Sequence, residues 1–256
     1  MLDKIRMLKK QTQKERPSNI VELDRRPIAT REARWSQRIA GWIAQKGVTP
    51  NLISIIGMAF GMLAGLMFAA SSKGTFGDWI IAEDVTWRVR LLFLGGALFV
   101  QMRLLCNMLD GMVAVERGMS SRVGMMLNEV PDRISDIAVL VGLGYAASGN
   151  VVIGFWAALV AVMTAYIRAM GKVAGGEKEK QEFVGWMSKS RRMFWVTVLA
   201  VWMIVAPDSS QWLWGGMGLV GWFLVLILMG SIGTCIRRWI RIRRRLSELD
   251  REEFTQ

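Results

Sequence analysis

An all-α membrane protein with six transmembrane helices is the fold class the sequence predicts, and three observations carry it. Of 256 residues, 52% are hydrophobic. They are gathered into runs long enough to cross a bilayer, which takes about 20 residues per helix. The segments between runs alternate between strongly basic and nearly uncharged, as loops on opposite sides of a membrane do.

The chain carries 33 Lys+Arg against 21 Asp+Glu, a net charge of +12. Basic cytoplasmic loops facing anionic lipid headgroups account for this charge. No nucleic-acid motif accompanies it, so the expected surroundings are membrane lipids and not nucleic acid. There are two Cys and no His. Cys106 and Cys235 both lie in apolar segments without zinc or redox spacing. Without His, any metal site or proton transfer must use carboxylates, amides, hydroxyls, Lys or Arg. The polar, basic start predicts no cleaved signal peptide.

Residues 1–50 read as a basic cytoplasmic segment. Within it, Trp35, Ile39, Trp42 and Ile43 share one helical face, with Arg38 and Lys46 elsewhere, which predicts an amphipathic helix in the headgroup region. The first span is expected at 51–72, opened by Thr49-Pro50-Asn51. Its Gly57, Gly61 and Gly65 recur every four residues and predict close approach of another helix. Further spans are expected at 91–115, 123–148, 151–173, 193–206 and 213–236. A basic tail, 237–256, follows the membrane domain 51–236.

Loop charge sets the orientation. Residues 1–50 hold 12 Lys+Arg, the loop 172–192 six, and the tail 237–251 seven. The opposite loops hold Lys73, Arg88 and Arg90, then none at 149–150 and none at 207–211. This places both termini in the cytoplasm. Trp79, Trp87, Trp212, Trp214 and Trp239 then fall at span ends, where interfacial aromatics belong.

The stretch 107–136, NMLDGMVAVERGMSSRVGMMLNEVPDRISD, holds ionisable groups inside apolar segments, and such groups mark a functional site by default. Asn107, Asp110 and Ala114 are three and four residues apart on span two. Gly124, Asn128, Asp132 and Asp136 repeat every four on span three. Both sets lie about 8–12 Å from the cytoplasmic ends of their helices at 1.5 Å per residue. Two faces of oxygen donors at one depth suit Mg²⁺ or Mn²⁺ rather than zinc. Equally, these groups can pair with Arg103, Arg133 or Arg168 and hold helices together. Pro131 predicts a kink in span three.

The same stretch resembles the signature of the CDP-alcohol phosphatidyltransferase family, D-x2-D-G-x2-A-R-x8-G-x3-D-x3-D. Its positions fall on Asn107, Asp110, Gly111, Ala114, Val115, Gly124, Asn128 and Asp132. Spacing matches throughout the 26 residues, and five of the eight identities are kept. The Thr49-Pro50-Asn51 entry and the six-span layout resemble that family too. The resemblance implies a homodimeric integral membrane enzyme of a bacterial inner membrane, with its site facing the cytoplasm. It would transfer a phosphatidyl group from a CDP-linked lipid donor to an alcohol acceptor, release CMP, and depend on Mg²⁺ or Mn²⁺.

Carried over residue by residue, the resemblance gives Asp132 and Asp110 the catalytic roles, Asp132 activating the acceptor hydroxyl. Asn107, Asp110, Asn128 and Asp132 would hold metal, with Glu129 restoring negative charge. Asp110, Gly111, Ala114 and Gly124 would border the CDP moiety. Asn replaces the first and third Asp of the signature, and Val115 replaces its Arg, for which Arg117 or Arg122 can substitute. Arg168, Lys189 and Arg191 are expected at the same depth, where they can bind a phosphate of the acceptor or lipid. These departures keep in view a non-catalytic lipid- or nucleotide-binding protein of the same fold, and the acidic motif near the cytoplasmic face is shared with a further alternative, a membrane prenyltransferase. The acceptor alcohol is not named by the sequence.

Overall fold

A computed structural model describes residues 34–74, 84–116, 122–175 and 185–254, with backbone alone at 122, 123, 125 and 252–254. Residues 1–33 of the basic segment, Trp79 and Arg117 lie outside the described residues. Helices dominate the rest. They are α1 (Arg34–Gln45), α2 (Pro50–Ala70), α3 (Val85–Glu116), α4 (Arg122–Tyr145), α5 (Val151–Gly175), α6 (Lys189–Val205) and α7 (Leu219–Phe254).

Local chemistry sets several boundaries. Thr49 caps α2, its Oγ1 accepting from the Leu52 amide at 3.3 Å, and Pro50 occupies the first turn, where no amide is needed. Asp84 begins α3 by accepting from the amides of Thr86 and Trp87. The α4 helix runs unbroken through Pro131. Asp132 and Asp136 therefore stay on one face, both within reach of Arg103.

One expected span differs at its start. Residues 213–218 form a hairpin, β1 (Leu213–Trp214) paired with β2 (Met217–Gly218), before α7 begins. Gly215 and Gly216 take φ of 58° and 77°, the left-handed values a two-residue hairpin turn requires and glycine supplies most readily. The hydropathy of this segment is equally compatible with a helix, so only the paired glycines carried the signal. At its other end α7 continues through the basic tail for 36 residues in all, about 54 Å.

Four helices, α2, α3, α5 and α7, are long and apolar enough to cross a membrane by length and composition. The α4 helix carries Glu129, Asp132, Arg133 and Asp136, and α6 has 17 residues, which is why neither joins them. On α1, Trp35, Ile39 and Trp42 are exposed, while Ala40 packs with Ile53 of α2 and Cys106 and Leu109 of α3.

The glycine stripe of α2 meets two helices. A Cβ on Gly57 would touch the Cys106 Cβ of α3 at 2.9 Å. One on Gly61 would strike Ser135 of α4, and one on Gly65 the carbonyl of Ala138, also on α4. From the facing side, a Cβ on Gly142 would strike Gly65 itself. The α2 helix thus seats α3 and α4 at backbone distance, and those are the two helices that carry the polar motif. Buried Phe68, Phe93, Leu140, Leu143, Met193, Leu224 and Ile227 extend the core across α2 to α7.

This contact makes a direct prediction. Gly65→Leu forces α4 away from α2, and overpacking costs roughly 1–3 kcal/mol. The melting temperature of the detergent-solubilised protein should fall by about 2–12 °C, at a few degrees per kcal/mol for a chain of this size. An unchanged melting curve would contradict the close packing.

Candidate active site

The α3 helix turns Arg103, Asn107 and Asp110 to one side, spaced four and three residues apart. The α4 helix turns Glu129, Asp132, Arg133 and Asp136 toward α3, α5 and α6. Together with α2 they enclose a small cavity lined by Ser54, Gly57, Met58, Arg103, Asn107, Asp110 and Asp132. The structure therefore brings Asn107, Asp110 and Asp132 to one place.

Each lining carboxylate has a different environment. Asp110 is buried and accepts a hydrogen bond from the Ser54 hydroxyl through Oδ2 at 2.7 Å. Its Oδ1 is buried with no hydrogen-bond partner. Asp132 accepts from the Asn107 amide at 2.7 Å and is ion-paired with Lys189, while Arg103 approaches its Oδ1 at 3.4 Å. Asp136, fully buried, lies outside the cavity lining. Arg103 Nη2 holds it at 2.9 Å and Arg192 Nη2 at 2.8 Å, with Arg133 at 3.7 Å. Arg192 also donates to the Met187 carbonyl at 3.0 Å.

The remaining expected residues spread around this centre. Glu129 is ion-paired with Arg133 and with Arg168, the latter at 2.6 Å. Asn128 is half-buried on α4 and does not line the cavity. Gly111 and Ala114 continue α3 beyond Asp110, and Gly124 lies in the first turns of α4. Arg191 is exposed and donates to the carbonyls of Gly185 and Trp186, both at 3.3 Å. Of Arg122 only the backbone is described.

The described ion pairs join five cations, Arg103, Arg133, Arg168, Lys189 and Arg192, to three carboxylates, Glu129, Asp132 and Asp136. Arg103 and Arg192 are buried, while Arg133, Arg168 and Lys189 keep 17–20% side-chain exposure, so the cluster is open at its edge to an anionic ligand. The Nε and Nη1 of Arg103 are buried without hydrogen-bond partners.

The donor set also suits a hard divalent cation. Asp110, whose Oδ1 is buried and unpartnered, lines a cavity that also carries an Asn amide and a second carboxylate, all oxygen-bearing groups preferred by Mg²⁺ and Mn²⁺. Among the described residues, no three His, Cys, Asp or Glu side chains group closely enough to hold a metal by themselves. An amide and ligand oxygens would have to complete the shell, which is common for Mg²⁺.

One site residue, Ser54, was not singled out in the sequence. It lies three residues before Gly57 on the glycine face of α2, a signal the sequence did carry. Arg103 was expected as a helix-pairing partner and is one, and Arg192 pairs with Asp136.

No protein-family profile matches the chain. It is 25% identical over 194 residues to the inner membrane protein YnbA of Escherichia coli K12, covering 76% of this chain and 86% of that one. It is 23% identical over 218 residues to the phosphatidylinositol phosphate synthase of Streptomyces avermitilis, covering 82% and 79%. The chain is thus similar to phosphatidylinositol phosphate synthases, which are CDP-alcohol phosphatidyltransferases. Its fold is that of the phosphatidylinositol phosphate synthase of Mycobacterium tuberculosis. The crystal structure with CDP-DAG bound superimposes with a TM-score of 0.59 at 23% identity, over 82% of this chain and 94% of that one. The complex with manganese and citrate gives 0.58 at 22%, over 81% and 88%.

Proposed function

We propose that this chain is a CDP-alcohol phosphatidyltransferase that moves a phosphatidyl group from a CDP-linked lipid to an alcohol, releasing CMP, in phospholipid synthesis. The observation that carries the reading is the cavity in which α3 and α4 meet at the signature spacing, with Asp110, Asn107 and Asp132 on its wall. Relatives that are phosphatidylinositol phosphate synthases, and the CDP-DAG complex of one of them, support it.

Asp110, Asn107 and Asp132 would hold Mg²⁺ or Mn²⁺, with Asn128 and Glu129 as further donors if their helix end shifts. The bound cation would neutralise diphosphate charge and orient the reacting phosphorus. Asp132 takes the proton of the acceptor hydroxyl as its oxygen bonds to the phosphorus of the diacylglycerol phosphate. The bond from that phosphorus to the bridging oxygen breaks, and CMP leaves with the oxygen. Gly111, Ala114 and Gly124 lie at positions where backbone can approach the CDP moiety, with Arg117 and Arg122 beside them. Catalysis is then chiefly positioning and charge neutralisation.

The acceptor in this reading carries a phosphate of its own. The half-buried Lys189 and Arg168, beside the buried Arg192, support that, and so do relatives named phosphatidylinositol phosphate synthases. Arg191, one turn from the cluster and exposed, would meet the same phosphate from the loop side.

Six membrane spans with both termini cytoplasmic complete the proposal. The α4 and α6 helices cross with their charges paired inside the bundle, which is how membrane helices tolerate them. The site then faces the cytoplasm of a bacterial inner membrane, and α1 lies in the interface with Trp35 and Trp42 toward lipid. A homodimer is part of the reading. Residues 1–50, 51–236 and 237–256 serve as interfacial segment, membrane domain and basic tail.

Purified protein incubated with CDP-diacylglycerol, Mn²⁺ and a panel of free and phosphorylated alcohols tests the reading. CMP release with a phosphorylated acceptor, a matching new lipid mass, and loss of both on chelation by EDTA are expected. No CMP release from any acceptor would leave the second reading, a non-catalytic lipid- or nucleotide-binding protein. The Asn107, Asn128 and Val115 departures and the pairing of Asp132 with Lys189 favour that reading.

A further inference from the structure

We infer that Ser54 is the positioning residue of the metal-binding carboxylate, holding one oxygen of Asp110 and leaving the other to ligate the cation. The inference rests on the reading of Asp110 as a metal ligand. Ser54 comes from α2, outside the motif, and is 8% exposed. Its hydroxyl has one proton and two acceptors in reach, Asp110 Oδ2 at 2.7 Å and the Pro50 carbonyl at 3.2 Å. The shorter contact, to a carboxylate, is the stronger and takes the proton. A carboxylate fixed at one oxygen has lost its rotation about χ2, and the oxygen it presents is Oδ1, buried and without a partner.

The helix supporting Ser54 is itself fixed. One turn on, Gly57 packs at backbone distance against Cys106, which precedes Asp110 by four residues on α3. The Ser54 hydroxyl and the Asp110 carboxylate therefore approach each other across a contact that cannot slide without moving both helices. Outer partners of this kind orient ligands, and their removal typically costs 10–100-fold in metal affinity.

The test is direct Mn²⁺ binding to the purified full-length protein, read from the electron paramagnetic resonance signal of free Mn²⁺, with melting temperature as a fold check. Ser54→Ala should weaken Mn²⁺ binding by about tenfold or more, and Ser54→Thr, which keeps the hydroxyl, should bind within about threefold of wild type. Thr and Val at this position have the same shape and differ in the hydroxyl alone. Ser54→Val binding less tightly than Ser54→Thr therefore isolates the hydrogen bond even where packing alters stability. Wild-type affinity in Ser54→Ala, or equal affinities for the Thr and Val variants, overturns the inference. Asp110→Asn separates the two levels. If it loses Mn²⁺ binding while Ser54→Ala does not, the metal site stands and the role of Ser54 falls. If it binds like wild type, both fall.

Discussion

Asp132→Asn should lower CMP release by about 10³-fold while the purified protein still melts within a few degrees of wild type. General base catalysis contributes about 10²–10⁴-fold, and the substitution removes the base. The fold should survive because the amide keeps the shape of the side chain and most of its neighbours. The Asp132 main-chain carbonyl still accepts from Arg103 at 3.0 Å, and Asp136 still holds that arginine at 2.9 Å. Asn107 and Lys189 lose a charged acceptor at a site that is 15% exposed, where water can replace it. A CMP-release assay with saturating donor, together with a thermal melt, reads both halves. Turnover near the wild-type rate would remove Asp132 from the chemistry and leave it a helix-pairing residue.

Asp136→Ala should do the opposite. Asp136 and Arg192 are each 1% exposed, and Asp136 is the acceptor shared by Arg103 and Arg192. Removing one partner of a buried ion pair strands the other, at a cost of about 3–5 kcal/mol. The melting temperature should fall by about 6–20 °C, at a few degrees per kcal/mol. The double variant Asp136→Ala with Arg192→Met should recover part of that loss, because it no longer leaves Arg192 buried without a counter-charge. Equal melting temperatures for Asp136→Ala and Asp250→Ala, the latter an exposed position near the end of α7, would show that the network contributes little.

The helical architecture was legible because apolar run length is a strong signal, and the glycine stripe of α2 was legible because its four-residue spacing has one natural use. What the stripe would touch was not legible. Periodicity identifies a face, but it does not say that Gly57 meets α3 while Gly61 and Gly65 meet α4. The hairpin at 213–218 was missed because Leu213, Trp214 and Met217 are as apolar as the helix that follows.

At the candidate site, the convergence of Asp110 with Asp132 was open to arithmetic, since each lies a similar distance from its helix end. Arg103 was foreseen as a partner for the polar residues, but which carboxylate each cation takes was harder. Arg103 and Lys189 come from positions 29 and 57 residues away from Asp132, and nothing local in the chain assigns them to it. Both sequence readings of the polar residues have a counterpart in the structure. Glu129, Asp132 and Asp136 are paired with arginine or lysine, and Asp110 retains an oxygen without a partner.

The clasp on Asp136 has a consequence for how the chain is made. Translation runs from the N-terminus, so α4 emerges with Glu129, Asp132 and Asp136 when only Arg103 and Arg133 exist to meet them. Arg168 arrives with α5, and Lys189 and Arg192 only with α6. A nascent chain halted before residue 189 holds its most buried carboxylate by one arginine at hydrogen-bonding distance instead of two. Ribosome-bound chains of that length are therefore expected to be prime substrates for membrane quality-control proteases. Resistance to those proteases should appear abruptly once α6 has left the exit tunnel.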